Sequence, residues 1–286
     1  ESAMDDASIR PSVRARFLRH RGAAAGLVIV AAVLLAALFA PWLSPFPPNA
    51  QDLDTGLSGP SGSHWLGQDK LGRDLLSRLA HGARISIAVG LGTVSISLVI
   101  GLVVGALSGY FGGKVDHLFM RLADILLAFP GILLAIGITA VLGPSLRNVL
   151  IALSLLGWVG VARLVRGQVL KIKEMEFVQA ARAAGNPPHR LLLAHILPNA
   201  LSPILVEATF GIARAIVAEA GLSFLGLGVA PPAPSWGAMI NEGRHFLFIA
   251  PHIAAVPGLA IMATVMAFNF IGDGLRDAMD IREEIR

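Results

Sequence analysis

The stretch "EFVQAARAAGNPPHRLLLAHILPN", residues 176–199, lies between two long apolar runs and reads as helix, stop, helix. Its first part is rich in helix formers, and Gly185 suits a left-handed C-terminal cap. Asn186 is placed to cap the next helix, with Pro187 at its first position, where a missing N–H is harmless. Pro198 then bends the start of the following apolar run. Ala180, Ala181, Ala183 and Ala184 keep the first helix slim enough to slide into a groove on another protein. Arg182 and Arg190 suit, equally well, a helix resting on lipid headgroups. Both readings put a membrane beside the hairpin.

The composition supplies that membrane. Of 286 residues, 55% are hydrophobic and 15% charged, with a mean hydropathy of +0.69. Soluble domains sit near ~45–50% apolar and ~25% charged. The excess falls in continuous runs of about 20 residues, enough to cross a ~30 Å hydrocarbon core as helices. A barrel would alternate instead. The chain is therefore expected to be an all-α integral membrane protein with six transmembrane helices, over 23–43, 83–110, 118–142, 146–165, 201–227 and 249–271. The first run is too long for a cleaved signal, and "APWLSPFPP" is no small-residue cleavage site. With no cysteine, disulfides, Cys-ligated metals and thiol chemistry are excluded. The net charge of +4 reports basic loops beside lipid, not nucleic acid.

Lysine and arginine set the orientation. With six spans, 16 of the 23 fall on one side, in the tail 1–22, the loop before the third span, the hairpin region and the tail 276–286. Both termini and the hairpin are thus expected to be cytoplasmic. A membrane core covers 83–275, with its cytoplasmic loop at 174–199, and 44–82 forms an extracytoplasmic loop. That loop is turn-rich, with a short interfacial helix expected over 71–79, and a second turn-rich outer segment is "GVAPPAPSWGAMINEGRHF".

Thr93, Ser97, Gly101, Gly105 and Gly109 stand four apart on one face of the second span, a stripe along which helix backbones pack closely. Pro130, followed by Gly131, kinks the third span. The fifth carries Glu207, Arg214 and Glu219. An arginine at mid-depth costs ~2.5–3.5 kcal/mol on insertion scales and must face protein or water. Arg214 and Glu219 are five apart and cannot meet. Glu207 lies two turns from Arg214, so each charge is expected to find its partner elsewhere. The three residues either line a polar substrate path or lock the span to its neighbours. Asp124 and Asn269 read as helix-end contacts. No catalytic constellation is present: His64, His81, His245 and His252 form no HExxH pattern, no GxSxG occurs, and "FGGKV" has Val115 where a phosphate loop needs Ser or Thr.

Gln179-Ala180-Ala181, Gly185 and Leu197-Pro198 resemble the cytoplasmic "EAA…G…LP" loop of ABC importer permeases, with Gln179 at a position usually Glu and His195 at one commonly Ile. "HWLGQDKLGRDLLSRLAHGARISIAVG", "GYFGGKVDHLFMRLADILLAFP", "GLSFLGLGVAPPAPSWGAMI" and "NFIGDGLRDAMD" are similar, in order, to the second (C-type) permease subunit of the dipeptide/oligopeptide/nickel group. The resemblance implies a type I importer transmembrane domain in a bacterial inner membrane that catalyses nothing itself. It implies a second permease subunit, an extracytoplasmic binding protein, and two ATP-binding subunits that hold the ATP and magnesium. The ATPases would dock on the hairpin through Gln179, Ala180, Ala181, Arg182, Ala184, Gly185, Asn186, Pro187, Leu197 and Pro198. The cargo would be di- or oligopeptides; within the group, nickel, haem or glutathione are alternatives. From another class, a stand-alone secondary transporter would need inverted repeats with matching broken helices.

Overall fold

In a computed structural model that describes residues 13–279, the chain is a bundle of helices without extended sheet among those residues. Arg10, Arg282 and Arg286, part of the charge bias, lie outside the described residues. After a short α1 (Val13–Arg19), α2 (Arg21–Leu38) leads through α3 (Ala40–Leu43) into a long irregular loop. The long α4 (Leu75–Phe111) follows, then α5 (Gly113–Leu127), α6 (Gly131–Leu142) and α7 (Leu146–Ile172). The hairpin comprises α8 (Glu176–Ala183) and α9 (Pro188–Arg190), which runs on into α10 (Leu197–Phe224). A short α11 (Trp236–Gly243) precedes α12 (His252–Met279).

Five stretches are long and apolar enough to cross a membrane as continuous helices, and α5 and α6 are long and apolar enough only as a pair, which gives six crossings if the bent pair counts as one span. These two meet at 83°, far more than the kink expected at Pro130. Alone, α6 is only 12 residues, ~18 Å at ~1.5 Å per residue. Pro130 cannot continue the ladder of α5, and with ψ 120° it starts α6 in a new direction.

Two elements outside the apolar runs differ from the sequence reading. The helix expected over 71–79 is the first part of α4, which starts at Leu75 with Asp74 as its cap: Ser77 N–H donates to Asp74 Oδ2 at 2.7 Å. The second turn-rich segment holds α11, anchored by Trp236, which is 2% exposed and donates its indole N–H to the Leu79 carbonyl at 3.0 Å.

The small-residue stripe of α4 packs on α7. A Cβ added at Gly101 would stand 2.6 Å from Val161 Cβ, one at Gly105 2.5 Å from the Ala162 carbonyl, and one at Gly109 2.8 Å from Val169 Cβ. Backbone-to-backbone approach of this kind is what holds helices where lipid offers no hydrophobic drive. α10 and α12 run antiparallel, with Gly272 against Thr209 and Phe210. His20 and Asp277 meet at 3.5 Å, so the two ends of the described chain lie beside each other. At the opposite end, Arg84 donates to the carbonyls of Ala37 and Leu38 (2.6 and 3.2 Å), closing the C-terminus of α2.

Candidate functional site

The hairpin has an inner face and an outer face. Val178, Leu191, Leu192 and Ile196 are buried with Val165, Val169 and Ile172 of α7 and Ala200 and Ile204 of α10, and Met175, Ala181 and Leu197 pack onto them. Ala180, Arg182, Ala184, Gly185, Pro187 and Pro198 face outwards, while Gln179, Ala181, Asn186 and Leu197 are half-buried. Gly185 closes α8 with φ +80°, which an L side chain rarely adopts. The next helix begins one residue later than the sequence suggests: Pro187 is its cap and Pro188 its first residue. Asn186 works backwards instead, its side-chain amide donating to the Ala181 carbonyl at 2.8 Å.

Several contacts tie this hairpin to the bundle. Gln179 Nε2 donates to the Lys173 carbonyl at 2.8 Å and reaches Glu174 Oε2 at 3.4 Å, fastening α8 to the end of α7. Lys173 Nζ in turn donates to the Gly109 carbonyl at 3.0 Å, and the Arg182 guanidinium stands 5.9 Å above the Tyr110 ring. Arg166 grips Asp116 with two bonds of 2.6 Å, and Arg163 bonds Asp124 at 2.5 Å, joining α5 to α7. At Pro198 the helix is not bent apart. Residues Leu191–Ile196 widen into a π-turn, with Leu197 N–H reaching back to the Leu192 carbonyl. The proline supplies no N–H for the next bond, and Asn199 Nδ2 donates to the nearby His195 carbonyl at 2.7 Å.

Deeper in the bundle, α4, α6, α7 and α10 enclose a cavity of about 520 Å³, within the ~300–1,000 Å³ typical of small-molecule sites. Glu207 and Arg214 line it; so do Thr93, Ser97, Gly131 and Gly160. The expectation that these two charges find separate partners is wrong. Arg214 Nη2 donates to Glu207 Oε1 within the same helix. Seven residues put both side chains on one face about 10.5 Å apart along the axis, a gap that two extended side chains close. Glu219 does not join them. It is 0% exposed, accepts from Ser223 Oγ at 2.6 Å and from Ser86 Oγ at 3.4 Å, and fastens α10 to α4. The proline-glycine break serves the cavity, since Gly131, Ile132 and Ala135 of α6 form one wall. Asp124, expected as a helix-end contact, instead joins α5 to Arg163 of α7, and Asn269, expected likewise, borders a second opening beside Arg214.

A charge network on the opposite side of the bundle escaped the sequence reading. Arg73 bonds Asp69 (2.6 Å) and Glu242 of α11 (2.5 Å), Arg78 stands 3.4 Å from each of the same two carboxylates, and His64 Nδ1 meets Asp74 at 2.9 Å. Asp69, Arg73, Asp74 and Arg78 are all buried. The four-residue spacing of Asp69 and Arg73 hints at one of these pairs; nothing local signals Glu242.

The family described as "Binding-protein-dependent transport system inner membrane component" matches residues 101–284, and "N-terminal TM domain of oligopeptide transport permease C" matches 12–60. The chain is 46% identical to the glutathione transport system permease protein GsiD of Pectobacterium atrosepticum over 93% of its length and 88% of the relative's. It is 48% identical to GsiD of Escherichia coli O6:K15:H31, with the same coverage. Its identity to the dipeptide transport system permease protein DppC of Alkalihalophilus pseudofirmus is 45%, over 92% and 86%. Among solved structures, the inward-facing MetNI methionine ABC transporter matches with a TM-score of 0.57 at 22% identity, covering 70% of this chain and 95% of that one.

Proposed function

The chain belongs to the binding-protein-dependent transport system inner membrane components, and from that premise we propose that it is the C-type permease subunit of an importer for short peptides. In this reading it sits in a bacterial inner membrane with both termini and the hairpin cytoplasmic. It pairs with a second permease subunit, receives cargo from an extracytoplasmic binding protein, and rests on two ATPase chains that bind ATP and magnesium. Cargo named for its relatives favours short peptides, because glutathione is itself a tripeptide and the other named cargo is a dipeptide.

The observation that supports coupling is a shared pair of helices. α7 and α10 hold the inner face of the hairpin at one end and wall the cavity further along. A load on Ala180, Ala184 and Gly185, the exposed outer face, therefore reaches the cavity through packed helix and not through loop. Helix-in-groove docking needs a slim outer surface of this kind. ATP-driven closure of the ATPases would press the hairpin and alternate the cavity's access between the two sides.

The test uses the absence of native cysteine. In the assembled, transporting complex, Ala184→Cys is expected to crosslink to a cysteine placed in the ATPase groove, and the yield is expected to change when ATP binds. A complex that transports peptide yet gives no crosslink from Ala184 or Ala180 removes the hairpin from the coupling path.

A further inference from the structure

The cavity has chemistry that packing does not explain. Glu207 and Arg214 have side chains 28% and 62% exposed, so the pair stands at the cavity wall instead of being sealed in the core. Among the described residues Arg214 bonds to Glu207 alone. An ionisable pair within a membrane-spanning helix must face protein or water, and this one faces the cavity. On α4, Thr93 Oγ1 and Ser97 Oγ belong to the stripe that packs on α7; both are buried without a hydrogen-bond partner, and Ser97 Oγ lies against Gly157. Helical Ser and Thr ordinarily return the hydroxyl to a carbonyl one turn back. Thr139 and Thr264 do so here, at 2.9 and 2.7 Å. The remaining wall is glycine and aliphatic.

Resting on the importer reading above, we propose that this cavity binds zwitterionic peptides of two or three residues. Glu207 takes the N-terminal ammonium and Arg214 takes the C-terminal carboxylate. Without cargo the two charged groups touch. Their backbone positions stand about 10.5 Å apart along the helix, so when the side chains part they leave room between them for two or three extended residues, which span roughly 7–11 Å. Charge balance gives the selectivity. Before cargo arrives, the pair neutralises itself; a cargo carrying both charges exchanges that one contact for two. A cargo with one end capped strands either Glu207 or Arg214 in a low-dielectric wall.

The experiment measures uptake of one peptide in four forms (free, N-acetylated, C-amidated and doubly capped) by the whole importer in proteoliposomes. The binding protein is the same throughout, so its own preference cancels when ratios are compared between permease variants. Glu207→Gln is expected to raise the N-acetylated-to-free ratio about tenfold, the factor ~1.4 kcal/mol supplies for a charge-assisted hydrogen bond. Arg214→Gln is expected to raise the C-amidated-to-free ratio similarly, and Arg214→Lys to leave it near the parent's. Ratios that do not move, whether overall uptake falls or holds, overturn the proposal. Should a variant fail to assemble, Ala218→Cys on the cavity wall decides with the pair intact. Free peptide is expected to shield it from a maleimide while the doubly capped form is not, and equal shielding or none overturns the site. If the unmodified importer carries no form of the peptide, the importer reading itself fails, independently of the pair.

Discussion

Gly105→Ala isolates what holds α4 against α7. The new Cβ would lie 2.5 Å from the Ala162 carbonyl and 2.7 Å from Val165 Cβ, whereas ordinary contact begins at 3.4 Å. Neither neighbour is the free end of a flexible side chain, so the helices must part by about 0.9 Å. A gap of that size forfeits a quarter to a half of each dispersion contact along the seam, and Gly101 and Gly109, one turn to either side, lose their fit with it. Overpacking of this kind costs ~1–3 kcal/mol, against a gain of up to ~1 kcal/mol for replacing glycine by alanine in a helix. Gly137→Ala on α6 is the matched control, because nothing lies within 4 Å of its would-be Cβ and only the propensity gain remains. In reversible detergent unfolding, the two variants are expected to separate by roughly 2 kcal/mol, with Gly105→Ala below the parent and Gly137→Ala level with it or above. If the two unfold alike, the seam is not close-packed and the stripe is incidental.

Glu242→Ala removes the α11 partner of Arg73 and Arg78 together. Breaking a buried pair costs ~3–5 kcal/mol; since Glu242 is 24% exposed, a loss of about 2–3 kcal/mol is expected, read as a lower melting temperature, with Glu242→Gln intermediate. Equal melting of Ala and parent would show that the network carries no stability. Gly185→Val forces a branched side chain to φ +80°, ~1–2 kcal/mol of strain. Trypsin cleavage at the hairpin arginines Arg182 and Arg190 is expected to quicken in this variant and much less in Gly185→Asn. Gln179→Glu replaces the amide donor that holds the Lys173 carbonyl and sets a carboxylate beside Glu174. Amide exchange over 176–186 is expected to accelerate by about tenfold and coupled uptake to fall; unchanged exchange would mean that the hairpin is held by its apolar face alone.

What the sequence disclosed was whatever repeats within a turn or two of helix. The apolar runs, the stripe from Thr93 to Gly109 and the left-handed position at Gly185 are local facts, and the bundle uses each as the spacing indicates. Pro130 announced a bend but not its size. A missing N–H permits a break, while the 83° angle also depends on the start that Pro130 gives to α6 and on what α5 lies against. α11 was hidden for another reason: eight residues among prolines and glycines offer too few turns for a period to emerge, and only the burial of Trp236 shows that they form a packed element.

The charges mark the limit most clearly. Counting residues excludes a contact between Arg214 and Glu219, and the structure agrees, yet the same counting discouraged the pair that forms with Glu207. Helical spacing rules describe short side chains standing out from their own turn. An arginine laid along the helix reaches well beyond them, and it takes that path only when there is open space beside the helix. That space is the cavity, which four helices create together and no single segment encodes. The partner of Arg73 illustrates the same point at a larger scale, since Glu242 is 169 residues away and becomes a neighbour only once α11 has packed against α4. Thus the sequence could state that charges lie in the fifth span, while the charge form of a cargo that fits them could be argued only after the wall around them was in place.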